Sequence, residues 1–279
     1  MKLSLCNEVI RDLGFPAQCA FAAELGYDGL EVAPFTLDDN PHLMSARRRA
    51  EVRQAAANAG ISITGLHWLL VTPAGLTLNG RDEGARLRTV DVMRRLVDLC
   101  ADLGGTVLVH GSPAQRTVAD DDDAKAAWER ARDSFAAIAE KAEAAGVTYC
   151  VEALARRETN FINTIAEAVT MVEAVGSPAL RTMIDCSAAS QTEEESIPAL
   201  IERWVPAGMV RHVQVNDANR QGPGQGDVTF AGMVEALHGV GYDGVVAVEP
   251  FDYRPDGPAC AARAIGYLRG IEEALGWAR

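Results

Sequence analysis

A repeated pair of segments runs through all 279 residues of the chain, and this repeat constrains the fold more than any other feature. Short β-branched runs alternate with longer, alanine-rich stretches of helical spacing, and glycine or proline marks the junctions. Eight such pairs can be counted. Strands that alternate with helices pair in parallel through right-handed crossovers. The sequence therefore predicts an α/β fold, a single (βα)8 TIM barrel that spans residues 1–279 as one domain.

The repeat also predicts the bounds of each element. The predicted strands are residues 2–7, 29–33, 62–67, 106–110, 148–152, 182–185, 212–215 and 244–249. The predicted helices are residues 16–25, 45–59, 83–103, 124–145, 164–175, 193–204, 230–240 and 258–274. An acidic run at 120–123 directly precedes one of these helices, so we expect it to cap that N-terminus rather than to bind a metal.

Charge and hydropathy limit the partners of the protein. The formal net charge of −13 repels a phosphate backbone, which excludes nucleic acid as an expected partner. No apolar run approaches the roughly 20 residues that cross a bilayer, and the N-terminus does not resemble a signal peptide. We therefore expect no membrane association and a cytoplasmic location. The six cysteines are scattered without a C-x-x-C pair, which indicates free, mostly buried thiols.

The last four predicted strands each carry an oxygen ligand at the carboxyl end. In a TIM barrel the functional groups collect at the rim that the carboxyl ends of the strands form. The residues are Glu152, Asp185, Gln214 and Glu249. Three carboxylates at one barrel mouth would repel one another without compensation, and a divalent cation is the simplest remedy. Three carboxylates and one amide favour Mn²⁺ or Mg²⁺ over Zn²⁺.

A structural role is the alternative for these acids. Each could form an ion pair with a nearby arginine, such as Arg156, Arg157 or Arg220, or cap the following helix. A single acid would fit that interpretation, because barrel rims are polar. Four consecutive strands with an oxygen at the same level indicate one common cause, so the metal hypothesis is preferred.

With these residues, the chain resembles the xylose-isomerase-like barrel family over nearly its whole length. The similarity is greatest to the branch of D-tagatose 3-epimerase and hydroxypyruvate isomerase. In the epimerases, strands 5 to 8 supply Glu, Asp, His and Glu to one Mn²⁺-type ion, and the two Glu also move protons at the substrate. Glu152, Asp185 and Glu249 fall on those positions. Gln214 stands where the epimerases have His, although Gln occurs there in relatives similar to hydroxypyruvate isomerase.

The resemblance also implies substrate-binding residues. Glu158 lies six residues after Glu152, as does the family Glu that contacts substrate. Arg220 lies six residues after Gln214 and matches the family Arg that anchors a ketose hydroxyl or carbonyl. The epimerases carry a substrate-binding His three residues after the metal Asp, but this chain has Ala188 there.

The function implied by the family is isomerisation or epimerisation of a small keto or aldo sugar through an enediolate. Glu152 and Glu249 would act as catalytic acid and base on opposite sides of the substrate. Asp217 would support Arg220 or Gln214. Two further strand-end residues, His67 and His110, would line the sugar pocket and compensate for the missing His; alternatively, both are hydrogen-bonded core histidines.

Two other functions stay open at this point. The same enolisation can expel a leaving group, which would make the protein a lyase or dehydratase of a keto-sugar or inosose-like substrate. A barrel that binds a sugar or a partner without catalysis is the second, and the paired proton carriers argue against it. The family's DNA-repair endonucleases need a His-rich metal cluster and a basic face, which this sequence does not offer. The resemblance further implies a homo-oligomer, a dimer or a tetramer.

Overall fold

The fold is a closed barrel of eight parallel strands in chain order, with helices between them; the computed structural model describes residues 1–277. The strands are β1 Lys2–Cys6, β2 Gly29–Val32, β3 Ser62–Leu66, β4 Val107–His110, β5 Thr148–Glu152, β6 Leu180–Asp185, β7 Val210–Val215 and β8 Val245–Val248. The helices are α1 Phe15–Leu25, α2 Ala46–Asn58, α3 Glu83–Leu103, α4 Pro113–Arg116, α5 Ala124–Ala145, α6 Ile165–Val175, α7 Cys186–Thr192, α8 Ile197–Trp204, α9 Ala231–Gly239 and α10 Gly257–Ala274. The predicted (βα)8 barrel is confirmed.

Local capping signals set the helix ends. Gly26 and Gly104 end α1 and α3 in the left-handed conformation, with φ of 88° and 87°. Asp123 caps α5 by accepting a hydrogen bond from the backbone N–H of Ala126 at 2.8 Å, so the expected capping by the acidic run is confirmed. These caps explain why α3 ends and α5 begins at the predicted residues.

One helix prediction was wrong in detail. The stretch predicted as a helix from residue 193 instead begins at Ile197, because Ser196 caps it and Pro198 occupies its first turn. Glu193 follows the end of a separate short helix, α7, which begins directly after Asp185. The short helix α4 was likewise not predicted. Both short helices lie in βα loops, above the carboxyl ends of the strands.

The interior of the barrel contains an unusual number of polar side chains. Inward-pointing residues alternate with residues that face the helices, since successive side chains of a strand point to opposite faces. Ser4 and Thr64 form a hydrogen bond of 2.8 Å across β1 and β3. Glu31 on β2 lies 2.7 Å from His212 on β7. The barrel axis therefore carries hydrogen-bonding groups that reach the carboxyl-terminal mouth.

Two smaller sequence expectations can be compared with the structure. All six cysteines are free and buried, as the sequence predicted. No helix in the described part of the chain combines the length and apolar character needed to span a membrane.

Candidate active site

Three of the four predicted ligand residues converge at the mouth of the barrel. Glu152 ends β5, Asp185 ends β6 and Glu249 follows β8 directly. One carboxylate oxygen from each lies within 4.8 Å of those of the other two, and the exposed fractions are only 6%, 5% and 2%. Three buried carboxylates at this separation can be held together by protons or by a cation.

Burial and mutual repulsion change the acidity of these groups. Burial, with the charges of Glu249 and Asp185, raises the pKa of Glu152 well above its usual value. Burial raises the pKa of Asp185 to about 6, although backbone N–H donors oppose the shift. Burial also raises the pKa of Glu249 to about 8, opposed by its hydrogen bond to His67. Without a cation the cluster therefore retains protons near neutral pH.

Gln214 lies beside this cluster with its amide oriented by a neighbour. It pairs in register with Asp185, so both side chains point to the same side of the sheet. Its Nε2 donates to Glu31 Oε1 at 2.7 Å, and its buried Oε1 has no hydrogen-bond partner. One oxygen of Glu249, Oε2, is also buried and unpartnered. Carboxylate oxygens with an unpartnered amide oxygen fit a hard divalent cation.

His67 bridges two carboxylates. Its Nδ1 lies 2.8 Å from Glu249 Oε1, and its Nε2 lies 3.0 Å from Glu8 Oε2. Burial lowers the pKa of His67, but the charges of Cys6 and Glu8 and the hydrogen bond to Glu249 raise it well above the usual value overall. The ring is fully buried and both nitrogens are engaged. His67 therefore orients Glu249, a different role from the predicted substrate contact.

The structure places His110 away from the pocket. Val109 packs inside the barrel with Cys150 and Met183, so the next residue along β4 faces the helices. The His110 ring stacks edge-on against Phe135 of α5, and its Nδ1 lies 2.8 Å from the Tyr149 hydroxyl. Burial lowers its pKa to about 3. The predicted pocket histidine is thus a neutral histidine packed between the barrel wall and α5.

Glu158 and Arg220 lie in the loops above the strands. Glu158 is partly exposed, and its Oε2 accepts a hydrogen bond from the backbone N–H of Ala155 at 3.1 Å. Arg220 is exposed, and its guanidinium lies 5.0 Å from the ring centre of Phe251. Phe251 in turn stacks on Trp68, with 5.8 Å between ring centres. Both residues thus lie in βα loops, and their contact with a substrate stays a prediction.

Asp217 supports a loop instead of a neighbouring side chain. Its Oδ2 accepts a hydrogen bond from the backbone N–H of Val228 at 3.2 Å, and its backbone carbonyl accepts from the N–H of Arg220 at 2.8 Å. Within residues 1–277, its carboxylate forms no hydrogen bond with the Arg220 guanidinium or with Gln214. Asp217 therefore holds the backbone of the loop between β7 and Val228, and does not support the side chains of Arg220 and Gln214 as expected.

Comparison with known proteins shows the family. The family profile described as "Xylose isomerase-like TIM barrel" matches residues 19–271. The chain belongs to this family. A D-psicose 3-epimerase of Ruminiclostridium cellulolyticum is 32% identical over 233 residues, which cover 82% of this chain and 75% of that protein. A 3-dehydroshikimate dehydratase of Pseudomonas putida is 27% identical over 255 residues, 85% of this chain and 36% of that protein.

A solved structure of an epimerase has a similar fold. The crystal structure of D-psicose 3-epimerase with D-tagatose from Clostridium cellulolyticum H10 superposes with a TM-score of 0.83 at 25% identity, covering 99% of both chains. This xylose isomerase-like barrel is therefore an enzyme, and its epimerase relatives are of the isomerase class. The resemblance found in the strand-end residues is confirmed.

Sequence reasoning missed two residues of the mouth. Asn216 donates to Asp185 Oδ2 at 2.8 Å and to the Glu249 carbonyl oxygen at 3.0 Å. It lies two residues after Gln214, so the alternation of strand side chains places both on the same face, and this spacing could have predicted Asn216 at the site. Arg116 is fully buried, and its Nη1 donates to the Glu152 carbonyl oxygen at 2.7 Å. No strand pattern pointed to Arg116, because it lies in the loop that contains α4.

Proposed function

We propose that this protein is a divalent-metal-dependent epimerase or isomerase that acts on a small keto or aldo sugar through an enediolate. The observation that carries the proposal is the convergence of Glu152, Asp185 and Glu249 within 4.8 Å at the barrel mouth. The epimerase relatives support the reaction class. Mn²⁺ or Mg²⁺ fits the donor set, since every ligand atom is oxygen.

The cation would be held by the three carboxylates and the amide oxygen of Gln214. When bound, it would supply the electrophile that stabilises negative charge on the enediolate oxygens. Asp185 also caps α7 through the Ala188 N–H at 2.7 Å, and because the Asn216 amide holds its other oxygen it is the proposed immobile ligand. The protein thus offers one immobilised ligand between two acids that remain available for proton transfer.

Glu152 and Glu249 are the proposed proton carriers. They come from β5 and from the end of β8, so a substrate between them presents opposite faces to the two carboxylates. Each has a pKa raised toward or beyond neutrality in the absence of the cation. One carboxylate removes a proton from the carbon beside the carbonyl, and the other returns a proton from the opposite face. Return to the same carbon inverts its configuration, whereas return to the former carbonyl carbon, with the hydroxyl proton passing to the old carbonyl oxygen, moves the carbonyl by one carbon.

The substrate would be oriented from the loops. Glu158 and Arg220 can form hydrogen bonds with hydroxyl groups of a polyol. Trp68 stands between Phe35 and Phe251, with ring centres 5.8 Å apart on both sides, and this aromatic row forms an apolar wall beside the polar site. The combination of an apolar wall and charged loop residues is typical of a pocket for a small polar ligand.

The test is exchange of substrate carbon-bound hydrogen with D₂O, measured by mass spectrometry after incubation with ketoses and Mn²⁺. The Glu152→Gln and Glu249→Gln variants should lose exchange while retaining their melting temperature within a few degrees. Glu194→Gln is the matched control, because Glu194 is exposed on the surface. Full exchange in both active-site variants would remove these residues from the mechanism.

A dehydratase is the second candidate, favoured by the similarity to the Pseudomonas putida dehydratase. The first step would be the same proton abstraction, and the hydroxyl group on the adjacent carbon would then leave as water, taking its proton from a carboxyl group of the site. Mass analysis of the product distinguishes the two, since loss of water indicates the dehydratase and unchanged mass with altered chirality indicates the epimerase.

The homo-oligomeric state, a dimer or tetramer, also stays a prediction. Light scattering of the purified protein measures the mass of the assembly and so tests it.

A further inference from the structure

Glu8 is a buried carboxylate at the barrel mouth that has no role in the proposed reaction. It follows β1 in a short 3₁₀ turn, Asn7–Ile10, and only 3% of it is exposed. Its Oε2 lies 3.0 Å from His67 Nε2, and its Oε1 is buried without a hydrogen-bond partner. One of its oxygens lies within 4.8 Å of a Glu249 oxygen. A buried carboxylate is costly, so its presence beside the site calls for a reason.

The backbone that carries Glu8 is fixed by its neighbour Asn7. The Asn7 side chain is fully buried, and its Oδ1 accepts a hydrogen bond from the backbone N–H of Ala33 at 2.8 Å. Its Nδ2 donates to Gln18 at 2.9 Å and to Thr36 at 2.8 Å. These three bonds tie the turn to α1 and to the loop after β2. Glu8 therefore leaves the strand from a backbone that has little freedom to move.

His67 links Glu8 to one of the proposed proton carriers. Its second ring nitrogen, Nδ1, lies 2.8 Å from Glu249 Oε1, and the whole ring is buried. The two nitrogens belong to one rigid ring, so the partner of one nitrogen determines where the other points and whether it can donate. The contact with Glu8 thus fixes the contact with Glu249.

The two oxygens of Glu249 are consequently in different situations. Oε1 is bonded to His67, whereas Oε2 is buried and unpartnered. The ring therefore occupies one oxygen and leaves the other for the cation or for the substrate proton. If the ring rotated, Oε1 would be released and the carboxylate could turn. The orientation of Glu249 then depends on the residue at the far end of the ring, which is Glu8.

We propose that Glu8 is a positioning residue of the reaction, which acts through His67 to hold the Glu249 carboxylate in its working orientation. This role rests on the proposed function. The alternative is a structural ion pair, in which Glu8 only balances the charge of His67. The two roles have different requirements: positioning needs the reach of the side chain, whereas charge balance needs a negative charge nearby.

Two conservative substitutions separate these roles. Glu8→Gln keeps the length of the side chain and a hydrogen-bonding oxygen without the charge, whereas Glu8→Asp keeps the charge but withdraws it by one C–C bond, about 1.5 Å. Deuterium exchange is measured on the ketose that the wild type exchanges fastest, with Mn²⁺ saturating. Glu8→Asp should lower kcat about 10- to 100-fold with little change in KM, because Glu8 does not touch substrate. Glu8→Gln should retain most of the wild-type kcat. Calorimetry should rank Mn²⁺ affinity in the same order.

A double-mutant cycle tests the route through the ring. His67→Asn removes the ring, so Glu8→Asp should cause no further loss of kcat in that background. Glu24→Asp is the matched control, since Glu24 is exposed on α1, and it should leave kcat and Mn²⁺ affinity unchanged. If Glu8→Asp does not fold, Glu8→Ala takes its place with the same expected loss. Failure of both to fold shows a structural role and overturns the inference. If His67→Asn does not fold, the order of Glu8→Gln and Glu8→Asp decides.

The outcomes distinguish this inference from the proposed function. Wild-type kcat in Glu8→Asp, or a larger loss in Glu8→Gln than in Glu8→Asp, shows charge balance, which overturns the positioning role and leaves the epimerase intact. Additive losses in the cycle overturn the route through His67. Absence of exchange by the wild type on any sugar removes the proposed reaction, and the order of Mn²⁺ affinities then still tests the positioning of Glu249. A wild type that binds no Mn²⁺ overturns both.

Discussion

Replacement of Gly111 by alanine tests the geometry of the active site with a single methyl group. Gly111 follows β4, and a Cβ built on its backbone would come closer than 3.0 Å to Glu152 Oε2, a separation that real Cβ atoms essentially never show. The Glu152 carboxylate is the far end of a flexible side chain, so it can move aside. We therefore expect Gly111→Ala to displace the carboxylate rather than to unfold the protein.

The expected loss of rate follows from how far the Glu152 carboxylate must move to restore normal contact with the added Cβ. Ordinary contact with a Cβ begins at 3.4 Å. To reach it, the carboxylate must move by about 1 Å, and a misplacement of that size costs about 100-fold in rate. Crowding of this kind costs about 1 kcal/mol of stability when a side chain can rotate away. Activity should thus fall far more than stability.

The assay is deuterium exchange with Mn²⁺, together with urea unfolding of the same protein. Gly266→Ala is the control: Gly266 lies in α10 with nothing within 4 Å of the added methyl group, so it should stabilise the helix by about 0.5–1 kcal/mol without loss of activity. Wild-type exchange in Gly111→Ala would show that Glu152 does not act from the position described. Loss of folding would show that the carboxylate cannot move.

Three further predictions concern the metal, pH and the fold. Glu31→Gln should weaken Mn²⁺ binding by about 10- to 100-fold in calorimetry, because Glu31 orients the Gln214 amide, and unchanged affinity would refute this role. Asp185 and Glu249 have folded-state pKa values of about 6 and about 8, both raised, so their contribution to metal-free stability is lost as the pH rises through that range. The increase in melting temperature on adding Mn²⁺ should then be larger at pH 8 than at pH 5.5; the reverse order would contradict the metal cluster. Asp123→Ala should cost about 1 kcal/mol in urea unfolding through loss of the α5 cap, and a cost near zero would show that the cap is replaced.

The barrel could be predicted from sequence because its signals are local. Most βα units carry their own strand run, side-chain cap and glycine, so the bounds of α3 and α5 follow from neighbouring residues. The start of α8 was predicted less well, because Ser196 and Pro198 define an N-terminus that helical spacing alone does not show. Short helices in the βα loops, such as α4, depend on contacts with other loops, which a single segment does not encode.

The same distinction applies to the site. The three carboxylates could be predicted because each lies at the carboxyl end of a strand, where functional groups collect, and on the face that points into the barrel. His110 also lies at the carboxyl end of a strand, but it faces the helices, since Val109 before it points into the barrel. Arg116 had no signal, because its burial arises where loops distant in sequence cover it. The position and facing of a strand residue are thus predictable from sequence, whereas the burial of a loop residue by other loops is not.

The hydrogen bonds of the mouth show why a cation would complete this site. Three buried oxygen groups are each oriented by one hydrogen bond: His67 bonds to both Glu8 and Glu249, and the Gln214 amide nitrogen donates to Glu31. In each case one oxygen remains buried and unpartnered, namely Glu8 Oε1, Glu249 Oε2 and Gln214 Oε1. These hydrogen bonds thus fix the direction of the three groups without saturating their oxygens. Oxygens that are oriented but not saturated are what a metal ion requires, so the surrounding network and the proposed cation are parts of one arrangement.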